Sequence, residues 1–396
     1  MRKIFAVFVT ILCLTISTDK AAFCAHSWVW NVLVIPPSGG WDSEPGKSIN
    51  SALSWCEREI SESSSGVGGH DVRFIRAQVS GDVGAYRALG LNYGRETIAV
   101  MSFAGLSELD RVLVSRMAGR DVPLLLAGGE SVLFDNVGGP IVNVFALDMF
   151  RDYRAAAFSE YARTLYDRQK RIALAASRFT VNQEREAKIC YDLLDKAGFM
   201  PMPYWSDASV RDSYAMMSEE IESFVGEQAG VVISFMGSMG AREIWRNFMR
   251  IRSNWRLWNC AEPDSTYLSC RGMIFADQNI LLESKGGFIE TKRLLWRTRA
   301  IQVQDSAWAG KAIALYEWLK RAVELMPQPV DAMPRQQLLR NLARVQAIPF
   351  GNQVLSINPE THRPTERSVF IVEVRDREYS FVDMVRTKGL IYRNVN

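Results

Sequence analysis

Histidine is nearly missing from this chain: only His26, His70 and His362 occur in 396 residues. There is no CxxC and no HExxH, so the ligands for a metal site are too few, and no metal or cofactor is expected. A GxSxG nucleophile elbow is also absent, which removes the commonest hydrolase architecture on an α/β sheet. Charge of one sign is lacking too. Lys and Arg number 47 against 44 Asp and Glu, a formal net charge of +3. So small an excess does not predict a nucleic acid or an anionic membrane as partner. Gly40 to Ser48 follows an apolar run and invites a phosphate-loop reading, but five residues separate Gly40 from Gly46 where a Walker A loop has four, and Glu44 would repel a phosphate.

Long apolar runs are confined to the start. Arg2 and Lys3 precede Ile4 to Ile16, and small residues lead on to Ala25. A basic head, an apolar middle and a small-residue end are the order of a secretory signal peptide, expected here over 1–25 with export to the periplasm. Phe23 before Cys24 departs from the small residue that a lipid-anchor motif needs. Cys56, Cys190, Cys260 and Cys270 lie beyond this segment. In an oxidising compartment Cys260 and Cys270 could bridge. They could equally be two separate buried thiols, since sequence separation does not fix the Cα distance.

What is present is organised around Val122 to Asp135. Val122-Pro123-Leu124-Leu125-Leu126 stops abruptly at Ala127-Gly128-Gly129-Glu130. A short apolar run ended by glycines reads as a strand buried on both faces. Glycines beyond it let a ligand approach the backbone, and in open α/β sheets ligands sit beyond the carboxyl ends of the strands.

The neighbouring sequence repeats the theme. Strands are expected at 31–35, 72–79 and 97–102, with helices at 47–60, 86–93 and 106–118. Ile49, Leu53, Cys56 and Ile60 share one helical face. Alternation of this kind makes a doubly wound parallel sheet, with the loops at 36–46, 102–107 and 127–131 converging on one edge. After a strand at 141–145 the rhythm restarts. Helices are expected at 153–167, 184–197, 214–225 and 241–250, and strands at 171–176 and 230–235. Two α/β lobes follow, without a sequence repeat between them. Further helices at 305–325 and 335–345 lead to a strand-rich end, where Asp376-Arg377-Glu378 reads as a hairpin turn.

This order resembles the type I periplasmic binding proteins, the leucine/isoleucine/valine-binding kind that serve ABC transporters. The resemblance spans essentially all of the chain after the signal peptide. Its strongest element is SINPETHRPTERSVFIVEVRDREYSFV (Ser356 to Val382), similar to the family's closing segment with an N/D-P-x-T-H-R-P turn between two strands. The helix from Gly310 to Val323 resembles another family region, although AWAGKAIALYEW departs from its usual Y-D-A-A. The resemblance implies two doubly wound lobes joined by three crossings, lobe 1 from 26–146 and 266–325, lobe 2 from 147–265 and 326–396. It implies a monomer that captures a small polar ligand, an amino acid or related compound, and delivers it to an ABC permease in the inner membrane.

Residues carry over position by position. Trp41 stands where relatives cover the ligand. Ser102, Gly105 and Ser107 match the serine-bearing loop after the third strand, and Gly128, Gly129 and Glu130 the loop after the fourth. Glu130 stands where a relative has threonine, and its charge would repel a ligand carboxylate. In the second lobe, Phe179 falls where the family has tyrosine, Phe235 marks another contact position, and Glu262 aligns with the acid that holds an α-amino group. A ligand-sensing subunit of a signalling receptor, or an exported enzyme on the same fold, are the alternatives. His362 is read as shaping its turn, Glu219 and Glu220 as a solvated helix face, and the tryptophans from Trp245 to Trp318 as packing.

Overall fold

The computed structural model describes residues 29–388, leaving out 38, 64–65, 80–95, 105–106, 129–140, 148–152, 178–180, 207–215, 218, 222, 224–229, 251–254, 262, 264, 278–305, 328–334, 351–352 and 365. Two separate sheets organise it. The first has five parallel strands in the order β2-β1-β3-β4-β5. They are β1 (Trp30–Ile35), β2 (Val72–Arg76), β3 (Thr97–Ser102), β4 (Leu124–Leu126) and β5 (Val144–Ala146). Every residue of β3 and β4 is buried, as expected of strands covered on both faces. Side chains alternate between two cores. Leu125 joins α1 (Glu44–Glu62) and α6 (Ser306–Glu324) on one face, while Leu124 and Leu126 meet α2 (Ser107–Met117) on the other.

Helix α1 shows how the local sequence fixes an element. Ser43 caps it, its Oγ accepting from the Gly46 N–H at 3.1 Å, with a proline in the first turn. Ile49, Leu53, Cys56 and Ile60 form its buried stripe, the face that the spacing predicts. Gly46 is required by contact: a Cβ there would lie 2.2 Å from the Gly40 carbonyl oxygen.

The second sheet has seven strands in the order β16-β15-β10-β9-β8-β6-β7. Its strands are β6 (Arg171–Ser177), β7 (Met200–Ser206), β8 (Val231–Ser234), β9 (Arg256–Asn259), β10 (Ile274–Asp277), β15 (Glu366–Arg375) and β16 (Glu378–Lys388). The first five run parallel, and the closing hairpin adds two antiparallel strands at β10. Asp376 and Arg377 connect the hairpin with φ of 50° and 64°, the two positive values of the turn that matches strand twist. Helices α3 (Tyr153–Leu165) and α4 (Val181–Lys196) pack on one face, and α5 (Ser238–Arg250) on the other. Among the described residues no helix is long and apolar enough to cross a membrane.

Two differences from the sequence reading have physical causes. First, β7, β9 and β10 were not foreseen. Strand β7 reads MPMPYWS, and prolines at 201 and 203 argue against a strand unless it lies at an edge, which is where β7 lies. Strands β9 and β10 have four residues each, too few to show a period. Second, the lobe boundaries shift. Residues 274–277 pair in the second sheet, so 266–325 does not belong wholly to the first lobe. Leu338, Leu339 and Leu342 of α7 (Arg335–Leu342), with Ile348, Leu355 and Ile357, fill the first lobe's core, so the described residues from 335 to 357 do not belong to the second lobe. The strand expected at 141–145 is found at Val144–Ala146, the fifth member of the first sheet, hydrogen-bonded to β4. The expected helix at 86–93 lies outside the described residues. Cys56, Cys190, Cys260 and Cys270 are buried thiols outside any disulfide, so the last two are two separate buried thiols.

Candidate functional site: the carboxyl ends of the two sheets

The carboxyl end of each first-sheet strand is tied to its neighbour by one further hydrogen bond. Ala77 N–H donates to the Val34 carbonyl, Phe103 to Ile35, Ala127 to Ser102 and Leu147 to Leu126, at 2.8 to 3.0 Å. The loops following β1, β2, β3, β4 and β5 therefore leave from one level edge. In the second sheet, Phe235 N–H donates to Ala175 and Cys260 N–H to Ser234, at 2.8 and 2.9 Å.

Polar residues tip these strands. Ser102 ends β3, Ser177 β6, Ser206 β7, Ser234 β8, Asn259 β9 and Asp277 β10. Ser102 Oγ accepts from Ala104 N–H at 3.3 Å, Ser234 Oγ from Met236 N–H at 3.2 Å, and Asn259 Oδ1 from Ala261 N–H at 3.2 Å. Each bond starts a turn that swings the chain off the sheet. The Ser234 hydroxyl keeps an O–H donor, and the Asn259 amide turns to the Met273 sulfur at 3.6 Å. The arrangement is chemically suited to hold a small polar molecule by neutral hydrogen bonds. In the cores, burial pushes the Cys56, Cys190 and Cys270 thiols up, away from the reactive thiolate.

The expected site residues distribute as follows. Ser102 lies at the strand tip, 1% exposed, and Gly128 directly after β4 is half-buried. Trp41 packs against the first lobe's core, and its Nε1–H donates to the Ala77 carbonyl at 2.8 Å. That bond joins the β1 loop to the end of β2, so the indole braces the edge. Ser107 is the first residue of α2. Phe235 follows β8 but turns inward, 4% exposed within the second lobe's core. Gly105, Gly129, Glu130, Phe179 and Glu262 lie outside the described residues. Ser234 and Asn259 were missed. Their one sequence signal is a small polar residue closing an apolar run, as in VVIS and RLWN.

The chain passes between the lobes three times, after β5, after β10 and between β14 (Arg363–Pro364) and β15. Two of these passages are bonded together. Ala146 N–H donates to the His362 carbonyl at 3.1 Å, and His362 Nδ1 lies 3.1 Å from the Val144 carbonyl oxygen. His362 is buried, stacked on Phe145 at 4.4 Å, with a φ of 54° in the turn. On the second-lobe side, Arg154 Nε–H donates to the Ala276 carbonyl at 3.3 Å, tying the start of α3 to the end of β10.

Burial holds the His362 ring below its ordinary value of 6.5, partly offset by the Val144 and Ile141 carbonyls. The folded state therefore binds this proton less readily than the unfolded chain, and stability from His362 is present above 6.5 and lost as pH falls below it. His362→Asn is expected to remove that component while tolerating the positive φ. Thermal melts between about pH 7 and pH 5 should show a flatter dependence in the variant than in the parent. Identical curves would place His362's titration outside the folding equilibrium.

No protein-family model matches the chain, and no curated protein matches its sequence. Solved structures do match. A leucine binding protein from Thermotoga maritima aligns with 90% of this chain and 98% of its own, at 12% identity and a TM-score of 0.68. A solute binding protein of an ABC transporter from R. palustris, in complex with 4-hydroxybenzoate, aligns with 93% of this chain and 99% of its own, at 13% identity and a TM-score of 0.70. A fatty acid ABC transporter substrate-binding protein from Thermomonospora curvata aligns over 91% and 92%, at 10% identity and a TM-score of 0.62. The chain has the two-lobed α/β fold of these substrate-binding proteins.

Proposed function

We propose that this protein is an exported solute-binding receptor that holds a small ligand between the carboxyl edges of its two lobes and passes it to an ABC importer. The observation that carries this reading is the likeness of the whole two-lobed fold, over nine-tenths of the chain, to proteins of that class. The tied crossings support it, because closure on a ligand is a hinge motion in which the closed form makes the extra contacts. The permease is the implied partner, the working form is a monomer, and residues 1–25 direct export. The ligand is bound and released unchanged. Ser102 and Gly128 form the first-lobe wall, with Ser234 and Asn259 opposite and Trp41 as brace. Gly105, Ser107, Gly129, Glu130, Phe179 and Glu262 are assigned to the same walls.

The test is a thermal-shift screen over amino acids, their amides, aromatic acids and short carboxylates. A ligand that binds only the native state at about a hundred times its Kd adds about 2.7 kcal/mol of stability and a clear rise in Tm. Ser102→Ala and Ser234→Ala should each weaken the hit by about tenfold, one hydrogen bond to a charged or polar group. Mass spectrometry of the recovered ligand should return it intact. A converted ligand, or a hit unaffected by both substitutions, would end the reading.

A further inference from the structure

A cavity of about 570 Å³ opens on the first lobe, on the side from which β4 and β5 start. Its walls are the turn 119–121 before β4, Val142 before β5, the exposed side of α7 with the turn after it, and the hairpin at Pro359 and His362. The turn before β4 and Val142 both precede their strands, so the cavity lies at the amino-terminal edge of the sheet. The solute site proposed above is at the opposite edge. The volume is that of a small-molecule pocket.

Two features give it a chemistry. Arg120, Arg340 and Arg344 rim it, all exposed, and none has an ion pair or hydrogen-bonded side-chain partner among the described residues. The acid on the rim, Asp121, is already taken by Arg335, whose Nη1 lies 3.0 and 2.9 Å from the two carboxylate oxygens. Among the described residues, the rim thus presents three uncompensated guanidinium groups. Beneath them the floor is apolar: Leu339, Ala343 and Val142, the last 69% exposed, an unusual degree for a valine.

We propose that this cavity is a second binding site, for a carboxylate that carries a short apolar body. Guanidinium forks pair a carboxylate through two parallel hydrogen bonds. The body covers Val142 and Leu339, which a bare hydrated anion would leave exposed to water. Nothing in this assignment depends on the cargo of the other edge.

The experiment is titration calorimetry on the full chain with hexanoate and, separately, inorganic phosphate. Hexanoate should bind the parent, and phosphate should bind at least about tenfold more weakly because it cannot use the floor. Arg340→Gln/Arg344→Gln should weaken hexanoate by about tenfold or more. Val142→Asp, which places a like charge on the floor, should do the same by an independent route. All three positions are exposed, and melting curves would confirm that the variants fold. The proposal is overturned if the parent takes up no hexanoate at millimolar concentration, if phosphate binds as tightly, or if both variants bind hexanoate like the parent. That last outcome would move its binding to some other surface.

Discussion

Trp318→Ala is expected to cost about 3–5 kcal/mol and to melt the first lobe before the second. Trp318 is fully buried on α6, edge-on to Phe145 of β5 at 5.8 Å, and its Nε1–H donates to the Leu342 carbonyl at 3.0 Å. One side chain thereby joins the central sheet, α6 and the end of α7. Removing it opens a cavity and orphans a buried carbonyl at the same time, and the two penalties add. Calorimetry should show the lower transition shifting down while the transition of the other lobe stays in place. A single shift shared equally by both lobes would mean that the two cores melt as one unit.

Trp258→Ala should cost a similar 3–5 kcal/mol, this time in the second lobe. Trp258 of β9 is fully buried among Phe158, Tyr161 and Tyr166, with ring centroids at 5.3, 5.1 and 6.4 Å. The contrast lies in the phenylalanine variants. Among the described residues, Trp258 Nε1 is buried without a hydrogen-bond partner. Trp258→Phe therefore gives up packing but also relieves an unsatisfied donor, whereas Trp318→Phe loses a bond that was made. Denaturant titrations should rank Trp318→Phe as more destabilising by about 1–2 kcal/mol. The reverse order would show that packing volume alone sets the cost at both sites.

These two tryptophans also mark what the sequence could reveal. Both are read as packing from type alone, and both are. The helical stripe at Ile49, Leu53, Cys56 and Ile60, the continuous apolar strands at 97–102 and 124–126, and the turn at Asp376 and Arg377 are local patterns, and they appear in the structure where periodicity put them. What stayed hidden depends on neighbours distant in sequence. The sequence reading gives residues 274–277 and 335–350 to the opposite lobes from those they join, because only pairing with 370–373 and packing on α6 decide it. The same holds for the edges. Ser102 and Gly128 follow recognisable apolar runs, while Ser234 and Asn259 close runs of three or fewer apolar residues. Trp41 suits a ligand cover or a brace equally by composition, and only its bond to the Ala77 carbonyl shows the bracing role.

The prolines of β7 have an effect beyond concealment. Met200 N–H donates inward to the Lys170 carbonyl at 3.1 Å, so by alternation the nitrogens of residues 201 and 203 face out from the rim of the sheet. Neither can donate, and an incoming strand from another molecule finds half its template erased. At the opposite rim, β16 has eleven residues and no proline. Glu378, Asp383, Arg386 and Lys388 set charges along it instead, so the two borders of the sheet discourage pairing with another molecule by different means, β7 through missing donors and β16 through charge.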